Sequence, residues 1–220
     1  MKKKYPNIRA VAFDYGGVLS YFIDKQAICA MADIAQVDST LFETGMWKFR
    51  QELDSGEYDN TRYWTLVLDY CSSVVSRQSI IETLVAMDIK GFSRMNQGML
   101  SWAKTLKEKG FGRIIISNMS EPTYQSLIRS QQWMQHFDAT VISGIIGINK
   151  PDQRIFEHAL EILHLDAAEV LFLDDLPHNI AGAYAAGLHA LLFSNTRTLS
   201  EELATYYPNL PLEGLDSSLT

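Results

Sequence analysis

Cysteine is scarce in this chain. Cys29 and Cys71 are the only two, each in a helix-like apolar stretch. They make no CxxC and no zinc-ligand spacing, which excludes a thiol-redox motif and a zinc module. Two buried thiols in a reducing compartment are expected rather than a disulfide. Basic residues are outnumbered, 19 Lys and Arg against 26 Asp and Glu, giving a formal net charge of −7. Nucleic acid and anionic membrane surfaces want a basic stripe, so neither is an expected partner. A local anion site stays open, because a metal ion or helix N-termini can supply positive potential that net charge hides. Long apolar runs are absent as well, and nothing approaches the roughly 20 residues of a membrane span. The lysine-rich start mimics the basic end of a signal peptide. The apolar run behind it is short and broken by Arg9 and Asp14, so no leader is expected. There is no internal repeat and no low-complexity tract. A cytoplasmic enzyme or binding protein, monomer or homodimer, is the expectation.

What is present is alternation. Of the 220 residues 47% are apolar, enough for one large domain or a core with an insert. Short apolar runs closed by turn signals read as strands at 8–14 "IRAVAFD", 113–117 "RIIIS", 138–143 "DATVIS", 169–174 "EVLFLD" and 188–193 "LHALLF". Helical patterns fit 96–109, 120–132, 152–164 and 177–186. The second opens with Ser120 and Pro122, and the fourth runs from Pro177 to a stop at Gly187. Strands alternating with helices predict an α/β fold, a Rossmann-like parallel sheet covered on both faces. Residues 20–92 hold no strand. Four helices fit there, at 24–36, 39–54, 60–72 and 77–88. The expected organisation is therefore an α/β core, 1–19 and 93–220, with a small inserted four-helix unit, 20–92, over the core's loops. The tail from 196 reads as a short helix and a loose end.

The polar residues of the core cluster at strand ends. Asp14 closes the first strand, Ser117 and Asn118 the second, and Asp174 and Asp175 the fourth. Lys150 precedes the 152–164 helix. In a parallel sheet the carboxyl ends of the strands share one edge, where ligands bind. Each residue alone has a plain reading as a turn, cap or helix-start residue. Together at one edge they describe a site. Three crowded carboxylates repel and need a cation, and oxygen-only ligands select a hard one such as Mg²⁺. An aspartate beside it stays ionised and can act as a nucleophile. Ser117 and the N–H groups after it can hold phosphoryl oxygens, and Lys150 can neutralise charge and hold Asp14.

In this order "VAFDYGGVL", "IIISN", "NKPD" and "VLFLDDLPHNIAGAYAAG" resemble the four motifs of the haloacid dehalogenase superfamily, in its phosphatase-like branch with a helical cap after motif one. The resemblance covers nearly the whole chain. It implies a Mg²⁺-dependent hydrolase that acts on a small phosphorylated substrate through an aspartyl-phosphate. Asp14 is then the nucleophile, and Ser117, Asn118 and Lys150 bind the substrate. Asp14, the Gly16 carbonyl and Asp175 ligate the metal, and Asp174 does so directly or through water. One departure stands out. Most phosphatases of the family carry a second aspartate two residues after the nucleophile, as general acid. Here that position is Gly16. An easy leaving group, such as that of a sugar or acyl phosphate, answers the loss, and rates should then rise as leaving-group pKa falls. An acid supplied by Asp24, Glu52, Asp54 or Tyr58 of the insert is another answer, and weak turnover a third. A metal-independent 2-haloacid dehalogenase and a non-catalytic binding protein are the alternatives. Among insert aromatics, Trp47, Phe49, Tyr63, Trp64 and Tyr70 are expected mostly in its core, with one or two of Trp47, Arg50 and Tyr58 facing the site.

Overall fold

The computed structural model describes residues 5–215; residues 1–4 and 216–220, which include the lysine-rich start and the end of the tail, lie outside it. All five expected strands form: β1 (Ala10–Phe13), β2 (Gly112–Ser117), β3 (Ala139–Ile142), β4 (Val170–Asp174) and β5 (His189–Leu192). Every pair is parallel, in the order β3-β2-β1-β4-β5. The two-residue pleat splits each strand between two cores. Ala10 and Ala12 face one core, with Ile155 and Phe156 of α9 (Gln153–Leu163) and Ile180 and Ala183 of α10 (Pro177–Ala185). Val11 and Phe13 face the other, with Trp102 and Leu106 of α6 (Gln97–Glu108) and Leu199 and Leu203 of α11 (Thr196–Tyr206). The chain runs outward from β1 through β2 to β3, then returns to β4 on the far side of β1. The order therefore reverses between β1 and β4, and a crevice opens at their carboxyl ends.

Five helices lie between β1 and α6: α1 (Lys25–Ala35), α2 (Ser39–Lys48), α3 (Arg50–Asp54), α4 (Asn60–Tyr70) and α5 (Arg77–Gly91). Asp24, Asp38 and Asp59 cap α1, α2 and α4, accepting from the N–H groups of Ala27, Leu41 and Arg62. Phe42 stacks on Trp64 at 5.9 Å, and the Tyr63 hydroxyl donates to the Met46 carbonyl at 2.8 Å. The insert enters and leaves side by side. Tyr21 N–H donates to the Arg94 carbonyl at 2.9 Å, and Asn96 N–H to the Leu19 carbonyl at 2.8 Å. Its apolar residues are continuous with the Val11 and Phe13 core.

Two elements differ from expectation. The single helix expected over 39–54 breaks at Phe49 (φ −108, ψ 8) into α2 and α3. The break turns Arg50 toward Asp88 of α5, a partner distant in sequence. The helix expected over 120–132 shortens to α7 (Glu121–Tyr124), followed by a π turn at Gln125–Arg129 and a 3-10 turn at Gln132–His136. Ser120 does cap its start, accepting from Thr123 N–H. Beyond it the chain unwinds, Trp133 stacks on Tyr15 at 6.4 Å, and Phe137 packs edge-on against Phe13 at 5.5 Å. A short α8 (Ser143–Ile146) follows β3. Cys29 is half-buried and Cys71 buried, and both are free thiols. Among the described residues no helix is long and apolar enough to cross a membrane.

Candidate active site

Asp14 follows β1 without a break, because its N–H continues the ladder to the Leu173 carbonyl at 2.9 Å. It therefore lies beside Asp174, the last residue of β4, across the point where the strand order reverses. Carboxylate oxygens of Asp14, Asp174 and Asp175 come within 4.8 Å of one another. Lys150 is pushed among them. Its Nζ lies 2.8 Å from Asp14 Oδ1, 2.6 Å from Asp174 Oδ2 and 3.0 Å from the Ile116 carbonyl, which uses all three donors. The Lys150 backbone is clamped by Asn118, whose Oδ1 accepts from Lys150 N–H at 2.7 Å and whose Nδ2 donates to the Lys150 carbonyl at 3.0 Å. The Asn118 amide, expected at the substrate, thus holds the lysine loop. Gly182 lets α10 pass this loop, since a Cβ there would lie 2.5 Å from the Pro151 carbonyl oxygen. Asn179 Nδ2 donates to both Asp174 oxygens, at 3.0 and 3.1 Å, and Leu176 N–H adds a third bond.

Asp14, Gly16, Ser117, Asn118, Lys150 and Asp175 line one cavity of about 470 Å³, and Asp174 is buried beneath it. Of the two glycines after Asp14, only Gly17 is required by the turn. Gly17 has φ +77, and a Cβ there would sit 2.5 Å from Asp175 Cγ. Gly16 has ordinary backbone and room, its nearest contact being Phe22 at 3.6 Å.

The charges do not balance. The cluster holds three carboxylates and one ammonium, which pairs with Asp14 and Asp174, a net charge of −2 when all are ionised. Burial, with Asp174 adding to it and Lys150 opposing, pushes the Asp14 carboxyl up to about 8. Burial and Asp174 push Asp175 up to about 6. Asp175 Oδ1 is buried and has no hydrogen-bond partner among the described residues. A buried, unpartnered carboxylate oxygen in an all-oxygen, anionic cluster fits a hard divalent cation such as Mg²⁺.

The insert supplies the facing wall. Trp47, Arg50, Gln51 and Asp54 line the cavity, with Phe22 and Phe92 from the two linkers. Of the four acids weighed from the sequence, Asp54 reaches this cavity. Asp24 is occupied as a helix cap, Glu52 lines a neighbouring groove, and Tyr58 packs against the apolar core. Tyr63 and Trp64 are core as expected, whereas Trp47 and Tyr70 are exposed. His178 stands at the rim. Sequence reasoning missed Asp88, which holds Arg50 Nη1 at 3.1 and 3.0 Å. A signal existed: Ile81, Leu84 and Asp88 share one buried helical face, and an acid in that register needs a cation.

A doubly wound α/β sheet with a nucleophile-like aspartate, a lysine and paired acids at its switch point defines a hydrolase-type site. A family model for haloacid dehalogenase-like hydrolases matches residues 8–187, and the chain belongs to that family. It is 31% identical over 126 residues to rat bifunctional epoxide hydrolase 2, which covers 54% of this chain and 23% of that protein. It is 29% identical over 113 residues to the sesquiterpene phosphatase astK of Aspergillus oryzae, 51% of this chain and 58% of that one. The chain thus spans less than two thirds of either relative. A HAD family enzyme of Bacteroides thetaiotaomicron, solved with magnesium and inorganic phosphate, superposes with a TM-score of 0.67 at 19% identity, over 85% of this chain and 94% of that one. At that identity the likeness shows the fold.

Proposed function

We propose that this chain is a Mg²⁺-dependent phosphatase of a small phosphorylated metabolite, with residues 20–92 as a cap over the site. The observation that carries this reading is the buried, unpartnered Asp175 oxygen within a cluster of three carboxylates and one lysine. Asp14, the Gly16 carbonyl and Asp175 would hold the ion, with Asp174 direct or through water. When bound, Mg²⁺ supplies the positive charge that keeps Asp14 ionised and offsets charge on the phosphoryl oxygens. Tyr15 N–H and Lys150 hold Asp14 Oδ1, at 2.7 and 2.8 Å, and orient the carboxylate so that Oδ2 attacks phosphorus. The bond from phosphorus to the ester oxygen breaks as the bond to Asp14 forms. Ser117 offers a hydroxyl to the phosphoryl oxygens from the end of β2, and Lys150 offsets their charge. Phe22, Trp47, Phe92 and Arg50 make a wall suited to a small ring with polar edges, such as a sugar phosphate. Two free thiols support a cytoplasmic setting.

The test is phosphate release from a panel of sugar, acyl and nucleoside phosphates, with Mg²⁺ and with chelator. Release is expected with Mg²⁺ alone, and Asp14→Asn abolishes it. Metal-independent halide release from a 2-haloacid would replace this reading with a dehalogenase. Silence on every substrate would favour a binding role.

A further inference from the structure

We infer that Asp54, carried on the insert, protonates the leaving oxygen in place of the side chain that Gly16 lacks. The inference rests on the phosphatase reading above. Its first support is position. The Asp54 carbonyl accepts from Ser143 Oγ at 2.6 Å, and Ser143 Oγ accepts from Met119 N–H at 2.8 Å. Asn149 Nδ2 donates to the Gln51 carbonyl at 2.8 Å. The single turn α3 is thus fastened to α8, through Ser143 to the loop that follows Ser117, and to the loop that carries Lys150. Asp54 lines the cavity that Asp14, Ser117 and Lys150 line. No hydrogen bond from another described residue reaches its Oδ2; Oδ1 accepts from Arg50 Nε at 3.2 Å.

The second support is charge. The Arg50 guanidinium faces two buried carboxylates and can neutralise one. Asp88 takes Nη1 on both oxygens, at 3.1 and 3.0 Å, while Asp54 takes Nε alone. The more weakly held carboxyl keeps its proton into the neutral range. Burial, reinforced by Asp88 and opposed by Arg50 and Lys150, pushes Asp54 up to about 7. The Tyr63 hydroxyl of α4 is also near and stays protonated, pushed above its ordinary value by burial. On α2, Lys48 lies over the Phe49 and Tyr70 rings, and α8 carries no charged residue. A carboxylic acid that holds its proton at neutral pH is what the step needs.

The step balances. As Asp14 bonds to phosphorus, the ester P–O bond breaks and the leaving oxygen takes the Asp54 proton, giving an alcohol, an Asp54 carboxylate and the aspartyl-phosphate. Water then attacks phosphorus and gives a proton to Asp54. The bond from phosphorus to Asp14 breaks, which releases orthophosphate and restores both carboxyl groups.

The test compares an alkyl phosphate with p-nitrophenyl phosphate, whose leaving group needs no proton. Because kcat/KM reports steps up to departure of the leaving group, Asp54→Asn should lower it about 10²-fold for the alkyl ester and within a few-fold for the aryl ester. Aryl turnover also shows that the variant folds. The wild-type alkyl kcat/KM should fall above about pH 7, a limb that Asp54→Asn removes. Gly16→Asp, for which the backbone has room, should restore alkyl turnover in the Asp54→Asn background. Equal losses on both esters, or an unchanged alkyl rate, overturn the assignment. Wild-type protein provides a measure independent of folding: a shallow dependence of kcat/KM on leaving-group pKa supports a proton donor, and a steep one refutes it. Wild-type silence on both esters would instead sink the phosphatase reading itself.

Discussion

Gly16 and Gly17 are neighbours with opposite constraints. Gly17 holds a left-handed backbone with the Asp175 carboxyl where a Cβ would be; Gly16 does neither. Gly17→Ala should displace Asp175 and weaken Mg²⁺ binding about tenfold or more, while Gly16→Ala leaves it nearly unchanged, as read by calorimetric titration. In "DYGGV" the two look alike, because a left-handed φ is a property of the folded turn and not of the letter. Asp14, Ser117, Lys150, Asp174 and Asp175 were legible one by one, since each sits where a strand or loop ends. Asn118 was legible as a site residue, but its amide clamps the Lys150 backbone, a pairing across 32 positions. That Lys150 spends all three donors on protein acceptors was equally out of reach.

At the scale of elements, every strand was readable from its short apolar run. The helices at 152–164 and 177–186 were readable from their apolar spacing, and the second also from Pro177 and Gly187. Failures came where distant partners overrode local pattern. The segment 39–54 carries helical periodicity throughout, yet it breaks at Phe49 so that Arg50 can meet Asp88. The segment 120–132 yields to packing of Trp133 and Phe137 on Tyr15 and Phe13. The Arg50 pairing makes a stability prediction. Arg50→Leu would leave Asp54 and Asp88 buried without their cation, at a cost of about 3–5 kcal/mol in denaturant unfolding. A loss under about 1 kcal/mol would show that the cluster is well hydrated.

For the whole molecule, the imbalance of charge predicts how stability responds to pH. Asp14, Asp54 and Asp175 are held up to about 8, 7 and 6, against 3.8 for the ordinary group. Between about pH 4 and 8 the folded protein therefore binds more protons than the unfolded chain. Stability is full below the ordinary value and is lost as pH rises through the folded ones. His136, held low by partial burial and nearby lysines, acts weakly in the opposite sense. The metal-free protein should thus melt at a lower temperature at pH 8 than at pH 5. Mg²⁺ should recover more of that loss at pH 8, with chelator reversing the gain. Thermal melts at both pH values check this, and a flat profile would contradict a site that lacks a cation. The sequence by itself determined the family, the parallel α/β core, the helical insert and the strand-end acids, because strand periodicity and turn chemistry are local. Only the tertiary structure decided which acid of the insert lines the Asp14 cavity, which glycine the turn requires and what holds Lys150. Those depend on where α3 docks and on pairings such as Arg50 with Asp88, whose partners lie far apart in the chain.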